Sequence, residues 1–134
     1  MSDSFDLIWC GSLLTHLNLS QWDQLVKLFS NVLTPNGILV LTVHGQRVID
    51  KFSAGDNYGL DDVQAARILV TVDECGFAYE DYPDHKGYGI SISKPSWVLH
   101  FLDERFPSVE VVHFKERAWD NHHDVVVCQK RVDV

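Results

Sequence analysis

The sequence predicts an α/β protein whose sheet is parallel at one end and antiparallel at the other. Two short apolar runs, Phe5–Cys10 (FDLIWC) and residues 38–43 (ILVLTV), are apolar almost throughout and suit strands buried on both faces. One segment of helical periodicity joins them, the connection that parallel neighbours need. Two later runs, residues 109–116 and 124–130, are separated by seven residues. That spacing suits a hairpin and not a helical crossover, so the last two strands should be antiparallel.

Each element follows from local chemistry. Gly11 and Ser12 break the first strand. Ser20, with Asp23 three residues on, has the form of a capping box. Trp22, Leu25, Val26, Phe29, Val32 and Leu33 then recur at helical spacing and form one face. Pro35-Asn36-Gly37 ends that helix in a turn. The second strand stops at His44-Gly45, and residues 46–60 are rich in Gly, Asp and Asn and read as a loop, with a helical turn over residues 48–52. Residues 60–75 read as a helix capped by Gly76. Residues 77–88 are polar and aromatic, contain Pro83, and read as loop or short extended chain, while residues 89–93 (GISIS) suit a short strand. Pro95 opens a helix over residues 93–106 with Trp97, Val98, Phe101 and Leu102 on its apolar side. Nothing divides the chain, so residues 1–134 are expected to form a single domain.

Composition narrows the function. A net charge of −8 with no Lys/Arg cluster argues against nucleic acid or an anionic membrane as partner. No apolar run reaches transmembrane length, and the acidic start MSDSFD is not a secretory signal. Cys10, Cys75 and Cys128 are odd in number, widely spaced and set in apolar surroundings, which suits buried reduced thiols in a cytoplasmic protein. There is no G-x-x-x-x-G-K-[ST] and no G-x-S-x-G, which excludes an ordinary P-loop and argues against an ordinary α/β-hydrolase.

Two stretches carry a family likeness. Phe5-Asp6-Leu7-Ile8-Trp9 followed by Leu13-x-x-His16-Leu17, and Val32-Leu33-x-Pro35-x-Gly37-x-Leu39-Val40, resemble the fourth strand and the turn into the fifth strand of class I S-adenosylmethionine-dependent methyltransferases. Tyr88-Gly89 and His123-Asp124-Val125-Val126-Val127 are similar to that family as well. The resemblance covers nearly the whole chain and implies the C-terminal half of the family's fold. That is a partial Rossmann-like methyltransferase sheet in the order 4-5-7-6, last strand pair antiparallel, with helices on both faces. In the family the methyl donor sits on a Gly-rich turn after strand 1, and an acidic residue ending strand 2 holds the ribose. Both lie upstream of the region matched here. The only G-x-G, Gly87-Tyr88-Gly89, follows a charged loop, lacks a third glycine and opens no helix. The resemblance therefore implies that S-adenosylmethionine is the co-substrate but is not bound by this stretch alone.

Candidate site residues follow from position and from the resemblance. Open α/β sheets bind ligands beyond the carboxyl ends of their strands. Cys10, Gly11, Ser12 and Thr15 occupy that place after the first strand and in the family would touch the methionine part of the donor; equally, they form a strand-to-helix connection. His16 is the candidate general base, since an imidazole exchanges protons near neutral pH, or else a ring that fixes its loop. Methyl transfer is an in-line displacement that proximity and alignment alone can drive, so no base is obligatory. His44, Gly45, Tyr88, Trp119 and His122 are candidates for binding the acceptor, with Tyr79 and Tyr82 beside Tyr88 as a possible aromatic wall. The cluster Trp119 to Asp124 invites a zinc hypothesis. Its spacing matches no common zinc pattern, and neighbouring side chains on a strand diverge, so no metal is expected.

Two functions of different kinds follow. One is methyl transfer to a small-molecule acceptor, with this chain as the acceptor-side half. The other is a non-catalytic interaction module, in which the apolar strand Phe5–Cys10 is an open sheet edge that pairs with a second copy as a homodimer.

Overall fold

The computed structural model describes residues 3–132. Six strands and four helices occur in the order β1 (Phe5–Cys10), α1 (Leu19–Val32), β2 (Leu33–Val43), α2 (Gln46–Ser53), α3 (Asp62–Cys75), β3 (Phe77–Asp81), β4 (Gly89–Ser93), α4 (Pro95–Arg105), β5 (Val109–Trp119) and β6 (His123–Lys130). A 3-10 turn, Leu14–His16, lies between β1 and α1.

Four strands form one sheet in the order β1-β2-β6-β5. β1 and β2 are parallel, while β6 runs antiparallel to both β2 and β5. The order and its antiparallel last pair are those the sequence led us to expect. The Pro35 turn survives as an excursion within β2: Phe5 pairs with Leu33 and Leu7 with Ile38, so residues 34–37 loop out opposite Asp6. Asn36 takes the left-handed conformation there, at φ 65°.

Capping moves one helix start. Asn18, not Ser20, caps α1: its side chain accepts from the Gln21 backbone, and the Gln21 side chain accepts from the Asn18 backbone N–H, each at 2.9 Å. Gln at the third helical position is long enough to reach back, whereas Asp23 beyond Ser20 is too short. Asp61 and Gln64 make the same reciprocal box on α3, which ends on left-handed Gly76 at φ 82°.

Burial corrects two expectations. Ile8, Cys10, Leu39, Leu41, Val126 and Cys128 share one sheet face by register, and both α1 (Trp22, Val26) and α4 (Val98, Phe101, Leu102) pack on that face. Helices therefore cover this sheet on one face and not on both. On the opposite face Leu7 is 63% and Trp9 54% exposed, so β1 is not buried on both faces. Helices α2 and α3 do not supply the second layer. They pack with the antiparallel pair β3–β4 into a separate core of Val48, Phe52, Ile68, Val72, Ile90 and Ile92. The hairpin β3–β4 forms where residues 77–88 read as loop or short extended chain and residues 89–93 as a short strand. Its tip carries the Pro83, Asp84 and Gly87 that obscured the strand signal, with Asp84 and Gly87 at positive φ.

Cys10 and Cys128 are buried, and burial pushes both thiols up, Cys128 to about 12. Cys75 is exposed, contrary to its apolar sequence surroundings, because it closes α3 on that helix's outer side. No described helix is long and apolar enough to cross a membrane.

Candidate functional site

The carboxyl ends of β1 and β2 meet at one edge of the sheet. After β1 the chain turns at Ser12, which sits at φ 58° and donates its backbone N–H to Thr42 Oγ1 on β2 at 2.8 Å. Gly11 leaves no room for a side chain, since a Cβ there would stand 2.9 Å from the Trp9 indole. Cys10 turns its thiol into the core, and Thr15 is fully buried with no partner for its hydroxyl. Of the four expected donor contacts, only backbone groups at residues 10–12 thus remain near the edge.

His16 and His44 close that edge, and both are tied to β4. His16 Nδ1 lies 2.9 Å from Gly89 O. A carbonyl only accepts, so Nδ1 carries the proton and the Nε2 lone pair is free in the neutral ring. Tyr82 Oη stands 3.2 Å from the same nitrogen, and the Tyr88 ring stacks on His16 with centroids 5.0 Å apart. His44 is buried, and its Nδ1 donates to Ser91 O at 3.2 Å. Burial, then the neighbouring His123 and His122, push it down to about 3, so it is neutral at physiological pH.

The final hairpin brings its rings to His44. His123 stacks on His44 with centroids 5.0 Å apart, and His122 meets it edge-on at 5.5 Å. His122 lies in the turn rather than in β6, so strand alternation does not separate it from His123. Trp119 touches His123 and packs edge-on against Trp9. Tyr58 completes the group, stacked on His122 and tilted to His44. Burial and neighbouring charges push both hairpin imidazoles down. Asp124, fully buried beside them, accepts from the Arg117 backbone N–H at 3.0 Å, and burial raises it to about 6.

The structure therefore brings His16 together with Tyr88, and His44 with His122; Trp119 joins the second pair through His123. Gly45 serves space: a Cβ there would collide with Asp124 Oδ2 and stand 2.7 Å from its Cγ. Tyr79 is not part of the wall; it donates to Asp81 at 2.6 Å and packs against the main core. Tyr58 had no sequence signal, because the Gly- and Asp-rich stretch around it reads only as loop. Gly87-Tyr88-Gly89 is the end of a hairpin. Gly89 is needed because the backbone of Glu80 passes where its Cβ would be. Grooves include one of about 570 Å³ between α4 and β5, an apolar one of about 410 Å³ beside β1, and one of about 470 Å³ that has Tyr82 in its wall. The rings at the sheet edge form two contact groups, one around His16 and one around His44.

A mixed sheet with flanking helices and a cluster of side chains at the carboxyl ends of its parallel strands broadly resembles a Rossmann-type α/β fold. Comparison with solved structures agrees. A crystal structure of SAM-dependent methyltransferases from Methanosarcina mazei superposes on 98% of this chain with a TM-score of 0.65 and 18% sequence identity. No family model and no curated protein sequence matches the chain. At this identity the likeness shows the fold alone. The chain spans 62% of the length of that structure. The expectation of a bare C-terminal half is thereby corrected: the match takes in more than half of the solved chain. The described residues include a second core from residues 48–92, where the sequence suggested a helical turn, one helix, a short strand and loops between them.

Proposed function

We propose that this protein is a methyltransferase of the S-adenosylmethionine-dependent kind, acting on a small-molecule acceptor at the edge where β1 and β2 end. The observation that carries the reading is the placement of His16, Tyr88 and the Ser12 turn at the carboxyl end of β1. That is the ligand position of open α/β sheets. Supporting it are the strand and turn motifs and the shared fold.

The backbone at residues 10–12 suits the methionine end of the donor, which supplies an electrophilic methyl group. Among the described residues there is no glycine-rich strand-to-helix turn for the rest of that molecule, so affinity in this chain is expected to be weak. The aromatic faces of Tyr82 and Tyr88 hold and orient an acceptor by contact. His16, with Nδ1 spent on Gly89, offers Nε2 to a proton leaving an acceptor hydroxyl or amine. Titration with S-adenosylmethionine or S-adenosylhomocysteine, followed by backbone NMR, tests the reading. Millimolar ligand should move the signals of residues 10–16 first. No movement there at millimolar concentration would overturn the proposal, and submillimolar affinity would contradict the expected weakness.

A second reading rests on β1. Phe5, Leu7 and Trp9 are 48%, 63% and 54% exposed on an edge strand, beside the apolar groove lined by Leu28 and Phe29. We propose that two copies pair these edges about a two-fold axis. Sedimentation equilibrium should show a dimer, and monomer alone at high concentration would exclude it.

A further inference from the structure

We propose that His44, His122 and His123 form a binding site for a first-row divalent metal ion, with Zn2+ the best match. One ring nitrogen from each lies within 4.8 Å of the other two. Tetrahedral zinc with Zn–N bonds of about 2.0–2.1 Å holds its nitrogens about 3.4 Å apart. The widest pair must therefore close by about 1.4 Å. His122 sits in a turn and can supply that movement, and His123 must tilt out of its stack on His44, where the planes are 26° apart.

The individual rings are set up for this. His44 spends Nδ1–H on Ser91 O, which leaves the Nε2 lone pair and fixes the ring. A backbone carbonyl on the distal nitrogen is the usual support of a ligating histidine. Nδ1 of His123 is buried with no hydrogen-bond partner. Leaving such an atom unsatisfied costs free energy that a bound cation would recover.

The charges around His122 lean slightly against a cation, which the imidazole ligands must outweigh. Lys51 and Arg47 act on His122 in one direction, and Asp120 and Asp56 in the other. The closely packed rings suit a bare ion better than an organic molecule. Three imidazoles also leave a fourth position for water or an acceptor oxygen, and imidazole favours zinc among common divalent ions. The site does not depend on methyl transfer.

The test uses chelator-treated protein titrated with Zn2+ by calorimetry and with Co2+ by visible absorption. One ion per chain at micromolar affinity or tighter, with the intense bands of tetrahedral Co2+, is expected. His122→Ala and His123→Ala should each weaken binding by about tenfold or more. Both positions are only partly buried, so near-UV circular dichroism should show both variants folded. No binding at millimolar Zn2+, weak octahedral Co2+ bands, or affinity unchanged in both variants would overturn the site.

Discussion

Replacing Gly45 by Ala isolates the contact that joins β2 to the final hairpin. Gly45 has φ −115°, open to any residue, so the cost of a methyl group is spatial. The new Cβ would enter the place of the Asp124 carboxylate. Either the backbone shifts, an overpacking cost of about 1–3 kcal/mol, or Asp124 swings away from the Arg117 N–H. Losing a hydrogen bond to a charged group costs about 1.5–3 kcal/mol. The two are alternatives, so G45A should destabilise by about 2–3 kcal/mol.

A double-mutant cycle separates this from a general intolerance of Ala at residue 45. In a D124A background the collision is gone. Ala should then be neutral or stabilise by about 0.5 kcal/mol through the lower entropy of the unfolded chain. The expected coupling is about 2 kcal/mol, measured by urea unfolding at 25 °C. An equal cost in both backgrounds, or a cost within about 0.5 kcal/mol of zero in the wild type, would refute the reasoning.

Further expectations follow from the same geometry. In chelator-treated protein, His44 is lowered to about 3 from 6.5, so its contribution is present above pH 6.5 and is lost as pH falls toward 3. Asp124 is raised to about 6 from 3.8, so its contribution is present below 3.8 and is lost as pH rises through 6, which opposes His44 between about pH 4 and 6. D124N removes the opposing group, and its stability should fall more steeply with acid than the wild type's, by about 1.4 kcal/mol per pH unit in that window; parallel curves would count against it. Trp22→Ala, which empties a nearly fully buried site and frees Leu14 O from the indole N–H, should cost about 4 kcal/mol in urea unfolding. Leu7→Lys on the exposed side of β1 should leave stability unchanged and shift the sedimentation equilibrium to monomer.

Much of the fold was legible because it rests on periodicity. The apolar runs of β1 and β2, the Trp22-Val26-Phe29 face of α1 and the short link between β5 and β6 needed no tertiary information. β4 was legible as residues 89–93, but β3 and its pairing were hidden because Pro83, Asp84 and Gly87 at the tip are turn residues, and Tyr79, Glu80 and Asp81 carry little apolar alternation. Burial of β1 was misread for a different reason. Apolar composition reports what a strand could bury, and Leu7 and Trp9 find no helix on their side. The site was legible where it coincides with strand ends, as at His44. His122 was named from the sequence, but not the turn geometry that sets its direction, and Tyr58, a ring delivered by a loop, was not legible.

β4 ties His16 and His44 to one element although they follow different strands. Gly89 O takes His16 and Ser91 O takes His44, two residues apart and so on one side of the strand. Ser91 Oγ donates to Leu14 O, which also accepts from the Trp22 indole, and the Ser93 N–H donates to His44 O. All five residues of β4 are buried. The strand thus belongs to the core of α2 and α3 by packing and to the sheet edge by hydrogen bonding. Any shift of that second core relative to the sheet must break these bonds before it opens the site. Both histidines would then be released in the same step, so ligand entry at His16 and ion binding at His44 should respond together to changes in β4.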